Sequence, residues 1–191
     1  NRKKLSLSDA IIGSGEDLQD LIVAGGPGGI GKTIFAASAD KPFFILSPGE
    51  TGLHTLMRAG IASKEIPSVE VLEWLQMFDI LEELRTAKHS RETVAIDALD
   101  GIWKLAEDHE LRTTFKGDNS ANKDGYNCYA AGSRHTTKLP WQQFLMALDR
   151  LHRERKMRII LLAHTDKVLF RNPTGDDFGR LVPAMYKDAW A

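Results

Sequence analysis

Short apolar runs alternate along this chain with segments whose apolar residues recur at helical spacing. Four runs predict buried strands, at residues 21–24, 43–46, 93–96 and 159–163, and the first is expected to be buried on both faces. Gly25-Gly26 follows the first run and Pro48-Gly49 follows the second, as expected where strands end in turns. A weaker strand is predicted at residues 69–72.

The intervals between these strands carry apolar residues at helical spacing. Helices are predicted near residues 32–39, 50–59, 74–84, 99–111 and 140–151. Strands that alternate with helices favour an α/β fold with a mainly parallel sheet flanked by helices and right-handed crossovers. The stretch 116–139 is too polar for a core, so we expect a long functional or disordered loop there.

Composition narrows the class of protein. The 191 residues, 42% hydrophobic and 27% charged, are typical of a soluble globular protein and predict a single domain over residues 1–191. The net charge of -1 argues against a surface coated in positive charge for non-specific nucleic-acid binding. Cys128 is the only cysteine of the sequence, which excludes an internal disulfide and a cysteine-based zinc or iron–sulfur site. No apolar run approaches the roughly 20 residues of a membrane span, so a soluble, cytoplasmic protein without a membrane partner is expected.

The segment between the first predicted strand and the first predicted helix matches the phosphate-binding pattern G-x-x-x-x-G-K-[ST]. Its residues are Gly26, Pro27, Gly28, Gly29, Ile30, Gly31, Lys32 and Thr33. Glycines let backbone N–H groups curl around a phosphate, Lys32 would reach the β- and γ-phosphates, and Thr33 would ligate Mg²⁺. The pattern predicts binding of ATP with Mg²⁺. The alternative is a glycine-rich turn with an incidental Lys-Thr pair at a helix start.

A phosphate-binding loop needs a carboxylate to hold the metal, usually at the end of another buried strand. Asp97 follows the 93–96 run and is the candidate, together with Thr33, for binding Mg²⁺. Asp100 is predicted either to cap the next helix, the favoured interpretation, or to help position water. Residue 98 is Ala, so no glutamate directly follows Asp97, and the acid that activates water must come from elsewhere.

Two further residues stand where predicted strands end. Glu50 follows the second strand, where its carboxylate would orient the attacking water. The alternative is that this glutamate only stabilises the dipole at the N-terminus of the next helix. His164 follows the 159–163 run and is either a sensor of the γ-phosphate or a histidine that is hydrogen-bonded at the edge of the sheet without a functional role. Lys32, Glu50 and His164 are therefore the candidate catalytic residues.

Together these residues resemble the RecA-like P-loop ATPases encoded by bacteriophages, which are related to the phage single-strand annealing and recombination ATPases. The resemblance covers residues 21–183 and rests on segments 26–33, 48–53, 94–97, 162–165 and 170–175. It implies a RecA-type core, a glutamate at position 50 that activates water, and later loops that face DNA or a neighbouring subunit. Since a RecA-type core usually continues through further strands, it also implies that the sequence is truncated at its C-terminus.

Single-stranded DNA is the partner that this resemblance implies, and a homo-oligomer is expected. The basic segment 150–158 is either a set of phosphate contacts or, as the favoured interpretation, a solvated helix end. Later cations and aromatic residues are candidates for contacts with phosphates and bases: Lys167, Phe170, Arg171, Phe178 and Arg180. Two alternatives stay open, a nucleotide-dependent switch or assembly module that does not bind DNA, and a small-molecule kinase that uses the 116–139 loop as a lid.

Overall fold

A five-stranded parallel sheet forms the centre of the protein. The computed structural model describes residues 19–117, 138–170 and 178–183. The strands are β1 (Leu21–Gly25), β2 (Pro42–Leu46), β3 (Ser68–Glu70), β4 (Thr93–Asp97) and β5 (Arg158–Ala163). Their order in the sheet is β1-β5-β4-β2-β3, and every pairing is parallel. The predicted α/β class, with a parallel sheet flanked by helices, is confirmed.

Five helices connect or flank these strands in the described ranges. They are α1 (Lys32–Ala37), α2 (Gly52–Arg58), α3 (Trp74–Thr86), α4 (Leu99–Thr113) and α5 (Lys138–Arg155). Helix α5 begins at Lys138, two residues before Pro140, so the C-terminal bound predicted for the 116–139 loop is wrong. Pro140 is compatible with the first turn of a helix because the first N–H groups there have no helical partner. Residues 118–137 of that loop lie outside the described residues. None of these helices is both long and apolar enough to cross a bilayer.

The core lies on both faces of the sheet, because successive strand residues point to opposite sides. On one face, β4 and β5 contribute Val94, Ile96, Ile159 and Leu161 to a cluster that includes Trp74, Trp141 and Phe144 of α3 and α5. On the other face, Phe44, Ala95 and Ile160 pack with Ala36 of α1 and Leu53 of α2. Burial on both faces thus fixes the central strands, and their carboxyl ends lie together at one edge of the sheet.

Strand β1 differs from the prediction that it is buried on both faces. Leu21 and Val23 are 54% and 46% exposed, whereas Ile22 and Ala24 pack into the core. The reason is its place in the sheet: among the described strands β1 has only β5 as a neighbour. The apolar run therefore identifies a strand correctly without specifying which of its faces is covered.

An antiparallel hairpin follows the sheet. Strand β6 (Thr165–Phe170) pairs with β7 (Phe178–Pro183), from Thr165 opposite Pro183 to Phe170 opposite Phe178. The sequence predicts only a turn-rich segment here, and its turn, including Arg171, lies outside the described residues. Lys167 and Arg180 lie on the two strands, at neighbouring steps of the ladder.

Candidate functional site

The carboxyl ends of the four longest parallel strands meet at one edge of the sheet. Gly25 pairs with Ala163, Leu162 with Asp97, and Asp97 with Leu46, so β1, β5, β4 and β2 end at nearly the same level. A cavity of about 400 Å³ opens at this edge. Its lining residues include Lys32, Thr33, Glu50, Asp97 and His164 together with loop glycines. Ligands of open α/β sheets bind at this kind of place.

The loop between β1 and α1 presents its backbone to this cavity. Gly29 and Gly31 have φ angles of 81° and 97°, a left-handed conformation that side chains other than glycine rarely adopt. Gly28, Gly29 and Gly31 line the cavity, and a Cβ atom placed on any of them would meet nothing within 4 Å, so the loop is uncovered at these residues. Gly26, Pro27 and Ile30 belong to the loop but do not line the cavity.

Lys32 lies within the curve of this loop. Its Nζ donates to the carbonyl oxygens of Gly26 and Pro27, at 2.7 and 3.0 Å. These contacts hold the ammonium group at the cavity, close to the backbone that would surround a phosphate. The ammonium supplies a positive charge there, and it has three N–H donors, two of which contact these carbonyls.

Thr33 and Asp97 are brought together from positions 64 residues apart in the sequence. Thr33 Oγ1 donates to Asp97 Oδ2 at 2.8 Å, so the two residues predicted to bind Mg²⁺ are in direct contact. Asp97 is only 2% exposed. Burial raises the pKa of its carboxyl, opposed by the hydrogen bond from Thr33 and by the nearby His164 and Lys32.

The backbone around Asp97 is held by Ser47, a residue for which the sequence predicts no role. The Ser47 N–H donates to the Asp97 carbonyl at 2.8 Å, and the Ala98 N–H donates to Ser47 Oγ at 3.1 Å. Ser47 is buried and directly follows β2, so the sequence signal that could have identified it is a polar residue immediately after an apolar strand. Its two hydrogen bonds fix the turn that places Asp97.

Glu50 reaches the cavity from the turn after β2. Its backbone N–H donates to the Ser47 carbonyl at 3.1 Å, and Gly49 has a φ of 82°. The carboxylate lies with Oε1 4.0 Å from His164 Nε2. Burial raises the pKa of Glu50, and the neighbouring charges of Asp97 and Asp100 raise it further, against the opposing effects of His164 and Lys32.

His164 lines the same cavity, and its partner is Asp100. Asp100 Oδ1 accepts from the His164 backbone N–H at 3.0 Å, and Oδ2 lies 3.0 Å from His164 Nδ1. The favoured prediction that Asp100 caps α4 is wrong: the helix begins after Ala98 without a side-chain cap, and the Asp100 carboxylate binds His164. Asp100 does not itself line the cavity.

The basic segment 150–158 lies away from this site. It joins the end of α5 to Arg158, whose strand β5 begins at the opposite edge of the sheet. Arg153 pairs with Asp149 at 2.8 Å, and Arg150 approaches Glu154 at 3.8 Å. These ion pairs agree with the interpretation of the segment as a solvated helix end.

Comparison with known protein families identifies the family of the chain. A family model described as AAA domain matches residues 20–189, which include the phosphate-binding loop, Asp97 and His164. No curated protein matches the chain. A match over this share of the chain, together with the loop and the strand-end residues, is that of an ATP-binding P-loop protein. The chain belongs to the AAA domain family of P-loop ATPases.

Proposed function

We propose that this chain hydrolyses ATP with Mg²⁺, using Lys32, Thr33, Asp97, Glu50 and His164. The observation that carries the proposal is the convergence of these five side chains on one cavity of about 400 Å³ beside an open, glycine-rich loop. Hydrolysis needs a phosphate cradle, a cation site and a group that orients water. The cavity wall contains a candidate for each.

Binding of the phosphates falls to the loop and Lys32. The left-handed glycines leave the loop open toward the cavity, so its backbone N–H groups can approach phosphate oxygens. Lys32 adds a full positive charge at the same place. A charge-assisted contact of this kind stabilises a polyphosphate more strongly than a neutral donor does.

The Thr33–Asp97 pair fits Mg²⁺. The cation prefers oxygen ligands and is usually held by one or two carboxylates with substrate phosphates and water rather than by a cage of protein groups. The described residues contain no group of three or more His, Cys, Asp or Glu side chains that could hold a metal, so Asp97 and Thr33 would share the cation with the nucleotide. When bound, Mg²⁺ would neutralise charge on the β- and γ-phosphates.

Glu50 is the proposed base. A carboxylate whose pKa is raised by burial holds a proton more readily than an exposed one, which suits a group that draws a proton from water. Glu50 lines the same cavity as Lys32 and Thr33, and its Oε1 lies 4.0 Å from His164 Nε2, so we propose that the γ-phosphate lies beside this pair. His164 is proposed to contact that phosphate, since its Nε2 faces the same space.

We further propose that the ATPase, as a single domain over residues 1–191, acts in phage DNA recombination or replication, with single-stranded DNA and as a homo-oligomer. The resemblance to phage RecA-like ATPases supports this role, and so does the chain path. Hairpin strand β6 begins at Thr165, immediately after His164, so a change at the nucleotide site has a direct covalent route to the hairpin. Lys167 and Arg180 lie on that hairpin.

Phosphate release from ATP tests the enzymatic proposal. We expect release with Mg²⁺ that chelation stops and that single-stranded DNA accelerates. Lys32→Ala should abolish it, whereas Lys64→Ala, which removes an exposed lysine, should not. No release under any condition would refute the proposal. Release that DNA leaves unchanged would favour the nucleotide switch, and a phosphorylated small molecule in place of free phosphate would favour the kinase.

A further inference from the structure

Asp100 lies on α4, outside the cavity. Its carboxylate contacts His164 at two points. Its Oδ1 accepts the backbone N–H of His164 at 3.0 Å, and its oxygens lie 3.0 and 3.2 Å from the ring atom Nδ1. We infer that Asp100 is a positioning residue for ATP hydrolysis: it fixes the His164 ring with Nδ1 protonated and Nε2 turned toward Glu50 and the cavity. This inference rests on the proposed ATPase function.

The direction of the hydrogen bond follows from the chemistry of the two groups. An ionised carboxylate only accepts hydrogen bonds, so the ring atom that faces it must donate. The proton of a neutral His164 ring is therefore on Nδ1, so Nε2 then has a lone pair and can donate to a phosphate oxygen only in the charged ring. In the charged ring Nδ1 still donates to Asp100, so its orientation is the same in both charge states.

The second contact fixes the position of the ring as well as its tautomer. Because Asp100 also accepts the backbone N–H of His164, both the ring and its backbone are tied to the first turn of α4. Asp97 stands at the end of β4, three residues before Asp100. Asp97, the candidate metal ligand, and Asp100, the partner of His164, thus come from one short segment. The distance between these two carboxylates is therefore set by local backbone geometry.

The Nε2 atom is consequently presented to the reacting region. It lies 4.0 Å from Glu50 Oε1, longer than a hydrogen bond, and both groups line the cavity. A ring free to rotate would offer Nδ1 or a C–H to the same space. Asp100 removes that freedom, and a group held in its working geometry contributes more to catalysis than one that must be ordered during the reaction.

The Asp100→Asn variant tests this role. Its amide oxygen can still accept the His164 backbone N–H, but its NH₂ group then faces Nδ1 and requires an acceptor there. We expect nitrogen-15 NMR of the whole chain to show a protonated Nδ1 in the wild type and an unprotonated Nδ1 in the variant. We expect kcat to fall by about tenfold or more while KM for ATP changes by less than about threefold.

Two controls separate positioning from stability. Asp108→Asn removes a carboxylate from the same helix, remote from the cavity, and should leave the His164 ring and kcat unchanged. In a His164→Gln background, Asp100→Asn should cause a much smaller loss of kcat than in the wild type, because only the effect of the Asp100 charge on Glu50 then remains. A loss there as large as in the wild type would overturn the inference.

The outcomes distinguish this inference from the function on which it rests. A wild type that does not hydrolyse ATP would refute the proposed function and this role with it. Normal hydrolysis together with an unprotonated Nδ1 in the wild type would overturn the inference alone, even if the variant failed to fold. Normal hydrolysis and a wild-type kcat in folded Asp100→Asn would overturn it as well.

Discussion

Gly101 lies so close to Ser47 that a Cβ atom on the glycine would be 2.4 Å from Ser47 Oγ and 2.6 Å from Ser47 Cβ. The contact brings the first turn of α4 against the end of β2, where Ser47 binds both the C=O and the N–H of the Asp97–Ala98 peptide. A glycine in a helix normally lowers stability relative to alanine. Here it allows the close approach that fixes the turn carrying Asp97.

The first prediction follows from this contact. Gly101→Ala should lower the free energy of unfolding by about 1–3 kcal/mol, because overpacking outweighs the better helix propensity of alanine. Urea denaturation followed by circular dichroism measures it. In a Ser47→Gly background the same change should cost less, since the clashing atoms are gone. An increase in stability on Gly101→Ala alone would contradict the predicted clash.

The second prediction concerns the cation site. Asp97→Asn keeps an oxygen that can accept from Thr33 but replaces a charged ligand with a neutral one. Affinity for ATP with Mg²⁺ should fall by about tenfold or more, and affinity without metal by less than about threefold. Calorimetry with and without Mg²⁺ measures both, with the exposed Asp79→Asn as the control. Equal losses in the two titrations would exclude Asp97 as a ligand.

Local pattern accounts for much of this architecture. The strands of the parallel sheet, the phosphate-binding loop and the placement of Asp97 were predictable because each depends on residues adjacent in sequence. The Asp100–His164 pair was not, since its members are 64 positions apart and meet only when β4 and β5 pair. The Ser47–Gly101 contact depends likewise on how a helix and a strand approach each other. The exposure of β1 depends on strand order, which no single run of residues encodes.

The third prediction assigns the base. Glu50→Gln keeps the size and most of the hydrogen bonding of the side chain but cannot take a proton from water. Turnover should fall by about a hundredfold or more, and affinity for ATP should be nearly unchanged. Phosphate release and nucleotide titration measure the two effects, with the exposed Glu65→Gln as the control. Normal turnover in Glu50→Gln would require another base.

The fourth prediction uses Glu50→Gln to measure how much the buried Glu50 carboxylate destabilises the folded protein. Burial, with Asp97 as the next contribution, raises the pKa of Glu50 above 4.5 in the folded protein. A raised pKa means that Glu50 favours folding when it is protonated, and that this contribution is lost as pH rises through the folded pKa. Glu50→Gln stays neutral, so it should melt at a higher temperature than the wild type at pH 7.

The pH dependence of this difference provides the check. Below the ordinary value of 4.5 the carboxyl is protonated in both the folded and the unfolded chain, so the two proteins should melt at nearly the same temperature there. The advantage of Glu50→Gln should appear as pH rises above that value. Calorimetric melting from pH 4 to 8 without nucleotide measures it, again with Glu65→Gln as the control. A difference in melting temperature that is constant with pH would disagree with the raised pKa.

The last prediction concerns single-stranded DNA and the β6–β7 hairpin. Lys167 and Arg180 occupy neighbouring steps of this ladder, and β6 begins directly after His164 at the nucleotide site. The net charge of -1 supplies no long-range attraction, so one chain should bind weakly. Binding should strengthen when ATP favours an assembly that aligns several hairpins along one strand.

Fluorescence anisotropy of a labelled oligonucleotide tests this prediction at several salt concentrations. Lys167→Ala and Arg180→Ala, made separately, should each weaken binding and reduce the salt slope by about 0.7, as expected when one phosphate contact to a single strand is lost. Arg153→Ala removes a cation that is already paired with Asp149 and should change neither quantity. If the unmodified chain shows no binding at low salt with or without ATP, the nucleotide-dependent switch becomes the better account of the same ATP site.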